Sequence, residues 1–175
     1  MKKFIFSLFL MFSFFIVKAQ SLPVIYYNGE NITNQTIDVE TNDPNDAMLQ
    51  VKMKVTNESS QDMPLTLEKV VEQEVEGSMN TFCFGQCVGP DVYIISLKDP
   101  VAPGDYVDCD ADYYHNNNVG TTTIKYVFTN PDLEGESCFV RINFALKSNS
   151  IEDYAENLHL YVFPNQIDNN SIFIH

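Results

Sequence analysis

Basic residues are scarce in this chain. Ten Lys and Arg stand against 24 Asp and Glu in 175 residues, a formal net charge of −14 at pH 7. A surface this negative repels phosphate backbones and anionic membranes, which excludes nucleic acid as a partner class. Catalytic signatures are lacking too: there is no GxSxG, HExxH, glycine-rich phosphate loop or P-loop lysine. Before residue 150 no stretch carries a helical period of apolar residues, and beyond the first 20 residues none is long enough to span a bilayer. The one long apolar run is Phe4 to Val17, behind Lys2 and Lys3 and ahead of the small residues Val17 and Ala19. That pattern reads as an export signal over residues 1–19, with Gln20 opening the mature chain. Its removal takes three lysines and no acid, leaving about 155 residues, enough for one domain with a true core.

What is present is strand periodicity. In Ala47 to Thr56, Ala47, Leu49, Val51, Met53 and Val55 alternate with Gln50, Lys52, Lys54 and Thr56. Thr122, Ile124, Tyr126 and Phe128 alternate with Thr121, Thr123, Lys125 and Thr129, and Cys138 to Leu146 repeats the pattern. Each is a strand with one buried and one wet face. Further runs cover 23–27, 36–40, 65–75, 91–97 and 105–114, parted by turn signals such as Asn28-Gly29, Pro103-Gly104 and Asn130-Pro131-Asp132. Seven or eight strands in about 125 residues predict an all-β, immunoglobulin-like, two-sheet antiparallel sandwich over residues 20–147. The buried tryptophan of antibody domains is missing, because the chain has no Trp. Residues 148–175 read as a polar linker and a separate tail.

Two stretches resemble parts of secreted Bacteroidota proteins. Leu160 to Asn165 (LYVFPN), followed by Asn169 to Ile174, resembles the opening of the C-terminal sorting domain of type IX secretion; Gln166 replaces its second proline. Between residues 45 and 146, the ordered pieces KVTNESS, FCFGQC, VAPGDYVD, DYYHNNNVGTTTIKYVFTNP and CFVRINF resemble the immunoglobulin-like modules that precede such domains. The resemblance implies an extracytoplasmic β-sandwich, with the secretion machinery as a partner if the tail is functional, and supplies no catalytic residue.

Four cysteines in an exported chain predict disulfides, with three connectivities open. Cys109 shares strand parity with Val107, Ala111 and Tyr113, and Cys138 with Val140 and Ile142, so both point inward; Cys83 and Cys87 lie four apart. The expected pairs are therefore Cys83–Cys87 and Cys109–Cys138. The CxxxC spacing in a strand-rich region fits neither a redox motif nor zinc, whose further ligands would have to come from distant histidines.

Asp108, Asp110 and Asp112 alternate on one strand face, about 7 Å apart. Neighbouring oxygens would complete a calcium site there, although a solvated acidic face is the simpler reading. His115 reads as a solvated loop residue. Phe82, Phe84 and Tyr114 are the candidate ligand-binding aromatics, the first two as flanks of a stapled surface loop and Tyr114 on the Asp face of its strand beside the Asn116 to Asn118 loop. The function expected is an exported, non-enzymatic binding or accessory module for a protein or carbohydrate. The alternatives are a fragment of a type IX cargo whose activity lies in a longer parent, and a small hydrolase built on carboxylates.

Overall fold

A computed structural model describes residues 21–148. The expected export signal and the linker with its sorting-domain-like tail lie outside the described residues. Eleven strands and no helix are present among these: β1 (Val24–Tyr27), β2 (Glu30–Asn31), β3 (Gln35–Thr41), β4 (Leu49–Thr56), β5 (Thr66–Gln73), β6 (Met79–Phe84), β7 (Gln86–Val88), β8 (Ile94–Ser96), β9 (Tyr106–Tyr114), β10 (Gly120–Thr129) and β11 (Ser137–Leu146). They form one sheet in the order β2-β1-β4-β9-β6-β7 and a second in the order β3-β11-β10-β5-β8. Within them, β1-β4-β9-β6 and β5-β10-β11 reproduce the ABED and CFG sheets of the immunoglobulin constant-type sandwich.

The strand count exceeds eight by three: β2 and β7, too brief to show alternation, pair at the sheet margins, and the stretch expected as a stapled loop supplies β6. The sheets are also not wholly antiparallel. After pairing with β4, the N-terminal segment crosses to the other sheet, and β3 lies parallel to β11, Ile37 opposite Ile142. Asn28 and Gly29, with φ of 51° and 84°, supply the two left-handed residues that a two-residue hairpin loop demands between β1 and β2.

Alternation places the core as expected. Leu49, Val51, Met53 and Val55 of β4 and Ile124, Tyr126 and Phe128 of β10 are buried, and their intervening residues are not. Aromatic pairs join the two sheets: Phe82–Tyr126 and Phe84–Phe128 meet edge to face at 6.0 and 5.7 Å, and Tyr113 stacks on Phe144 at 5.1 Å. The polar tips of the buried rings are satisfied. Tyr126 donates to Asn80 Oδ1 at 3.0 Å, Asn80 Nδ2 donates to the Asp112 carbonyl, and the Tyr113 and Thr122 hydroxyls bond each other.

Candidate functional site

The residues singled out by sequence fall into four places, and most serve the fold. Phe82 and Phe84 are not loop aromatics. Both lie on β6 with their rings wholly buried in the core, because inward Asn80, Phe82 and Phe84 alternate with Met79, Thr81 and Cys83. Tyr114 is half-buried on the opposite, outer face of β9, beside Met79 of β6. The three rings therefore form no common surface.

Asp108, Asp110 and Asp112 stand on the outer face of β9, as parity predicts. Their cross-strand partners on β4 are Lys54, Lys52 and Gln50, and Gln50 Nε2 donates to Asp112 at 2.6 Å. The ladder is thus compensated by side chains of the adjacent strand, and no group of three His, Cys, Asp or Glu among the described residues is arranged to hold a metal ion. Partial burial raises the Asp110 carboxyl, opposed by Lys52.

The cysteine expectation holds in half. Cys83 and Cys87 face each other across the β6–β7 hairpin and are joined. The expected Cys109–Cys138 bond is absent: both are buried, free thiols, on opposite sheets. Phe84 is the cross-strand neighbour of Cys109 and Phe128 that of Cys138, and those two rings fill the space between the sheets. The Cys138 thiol instead donates to the Pro23 carbonyl at 3.4 Å. Desolvation pushes Cys138 up to about 12 and Cys109 higher still, so neither forms a thiolate at neutral pH.

His115 is buried rather than solvated. Its Nδ1 accepts from the Asn117 N–H at 3.0 Å, which leaves Nε2 to donate to the Asp46 carbonyl at 2.6 Å. Both ring nitrogens are spent on tying two loops together.

The feature that sequence reasoning missed is the segment from Gly89 to Asp99. Val92, Tyr93 and Ile94 are 37, 51 and 60% exposed, three consecutive apolar residues on the surface. They are held in place by Lys69, a lysine on the core-facing parity of β5 and itself buried. Its ammonium donates to the Pro90 carbonyl at 2.6 Å and to the Asn80 carbonyl at 3.3 Å, and lies 4.8 Å from the Tyr93 ring centre. Desolvation lowers its pKa, against the opposing pull of Glu74 and Asp91. The available signal was a charged residue at an inward position, Leu65, Leu67 and Lys69 in one series.

An open groove of about 710 Å³ adjoins this segment, between the β6–β7 hairpin and residues 96–107. Phe84, Leu97, Val101 and Val107 give it apolar lining, and Asp99, Asp105 and Lys98 its charges. Its far wall is fixed: buried Asn57 donates to the Val101 carbonyl at 2.7 Å, and Met63 and Val101 exchange backbone hydrogen bonds.

No protein-family model matches the sequence, and no curated protein matches it either. Among solved structures, the chain is similar to the N-terminal domain of PorA, with a TM-score of 0.56 at 20% identity over 73% of this chain and 99% of that one. It is also similar to part of the secreted serine protease VesC from Vibrio cholerae, with a TM-score of 0.50 at 12% identity over 86% of this chain and 29% of that one. At these identities the likeness is one of fold.

Proposed function

We propose that this chain is an exported, non-enzymatic binding module whose contact surface is the apolar segment around β8. The observation that carries this reading is the exposed triplet Val92-Tyr93-Ile94, pinned to the sheet by a buried lysine. Contiguous exposed apolar side chains lose free energy in water unless something covers them, and an ordered backbone beneath them lowers the entropy cost of being covered. The Cys83–Cys87 bond supports an extracytoplasmic setting, where disulfides persist.

The test is a binding screen of the purified chain against arrays of glycans and of extracellular proteins and peptides. Each hit is then measured with wild type and Ile94→Ser. Ile94 is largely exposed, so the substitution spares the core, and the loss of its buried contact with a ligand should weaken binding by about tenfold or more. Turnover of any arrayed glycan or peptide, abolished by changing Asp108, Asp110 and Asp112, would replace this reading with a hydrolase. Hits indifferent to Ile94→Ser would remove the β8 surface from it.

A further inference from the structure

Of the four sheet edges among the described residues, three are guarded against strand pairing. β3 carries Asp38 and Glu40, β2 has two residues including Glu30, and β7 is tied back to β6 through Cys87. β8 carries Ile94, Ile95 and Ser96 and has no charge at all. Its inner side is spent on β5: Ile95 lies opposite Leu67, the Lys69 N–H donates to the Tyr93 carbonyl, and the Leu97 N–H donates to that of Leu65. Backbone groups alternate in direction along an antiparallel strand. The N–H and C=O of Ile94 and Ser96 therefore point away from β5, and no strand of the described residues lies on that side.

From this free edge, resting on the binding reading above, we infer that the protein takes an extended peptide as an added strand on β8, alternating apolar and basic residues. The alternation follows from what flanks the edge. Successive side chains of an added strand point to opposite faces. Toward the inside lies the groove with Phe84, Leu97 and Val101 among its lining residues, which takes apolar side chains. Toward the outside, Glu68 is the cross-strand neighbour of Ile94, and it converges with Glu134 and Glu136 around a second, smaller hollow. Glu68, one strand in from the edge, favours lysine or arginine at the intervening positions, and Glu134 and Glu136, across β5 from the edge, add a longer-range acidic field. A second copy of this chain is disfavoured by the same argument, since two chains of charge −14 would meet acid to acid.

The test uses the full chain and short synthetic peptides that alternate valine with lysine or valine with glutamate, titrated by calorimetry and by amide NMR. The valine–lysine peptide should bind, shift the amides of 91–98, and slow hydrogen exchange at Ile94 and Ser96. The valine–glutamate peptide should bind at least about tenfold more weakly. Ser96→Pro deletes an outward N–H, leaves the backbone bonds to β5 intact and gives up the Ser96 hydroxyl's bond to Thr66. It should weaken binding about tenfold through the lost strand hydrogen bonds, with Ser96→Ala as the control for the hydroxyl. If Ser96→Pro does not melt cooperatively, Ile94→Pro removes the other outward N–H.

Binding weakened by Ile94→Ser but untouched by Ser96→Pro overturns strand addition and leaves the binding surface standing. Binding untouched by either variant overturns both. Equal affinity for the two peptides overturns the charge argument. A dimer in light scattering that Ser96→Pro dissociates makes a second copy the occupant. Peptide binding that appears only once residues 149–175 are removed makes the chain's own tail the occupant. Either result overturns the proposal.

Discussion

At the scale of single residues, burial converts polar side chains into structural fixings. His115 was legible only as a residue in a polar turn, since its acceptor, the Asp46 carbonyl, is 69 positions away. Replacing His115 with Ala leaves that carbonyl and the Asn117 N–H without partners, and should cost about 1–3 kcal/mol in urea unfolding. Lys69 was legible as inward by parity, yet nothing in sequence supplies the Pro90 carbonyl and the Tyr93 ring that receive it. Its pKa is lowered in the fold from an ordinary 10.5. Between the folded and unfolded values the unfolded chain holds a proton that the folded chain has released, so this group adds stability as pH rises. The melting temperature of wild type relative to Lys69→Met should therefore move in favour of wild type as pH climbs into the lysine range. A pH-independent difference would contradict the burial account. The two free cysteines give a third expectation. Thiol titration should find none reactive in the native chain and two after unfolding, with Cys83 and Cys87 still joined.

Elements were legible in proportion to their length. β4, β10 and β11 each run through at least three alternations, and parity fixes which side chains are inside, except at the end of β11, where Ala145 on the outer parity is buried as well. β6 was misread because its cysteine spacing drew attention to the hairpin, while the alternation Asn80, Phe82, Phe84 that makes it a core strand went unused. The parallel β3–β11 pair was not legible, since nothing in either strand's pattern states which sheet β3 joins. The tip of the β6–β7 hairpin is Gly85, at φ 71°, where a Cβ would come within 2.8 Å of the flexible end of Leu97. Gly85→Ala should cost about 1 kcal/mol, mostly from the left-handed backbone, as read by thermal unfolding. It should also displace Leu97 into the groove, so peptide affinity should fall alongside stability.

For the whole molecule, composition and periodicity carried the class: all-β, two sheets, one core. The candidate site was less legible, because it is a property of arrangement. Val92, Tyr93 and Ile94 look like part of another buried strand until β8 proves to be the last in its sheet, with a groove beyond it. The acidity of the chain returns here as Glu68, the cross-strand neighbour of Ile94. The central claim is that this edge is where the protein meets its partner. Amide NMR of the full chain, titrated with the tightest ligand from the binding screen, tests it most directly. The account predicts shifts concentrated at residues 91–98 and along the adjoining groove. Shifts concentrated on the outer face of β4 and β9, with β8 unmoved, would contradict it.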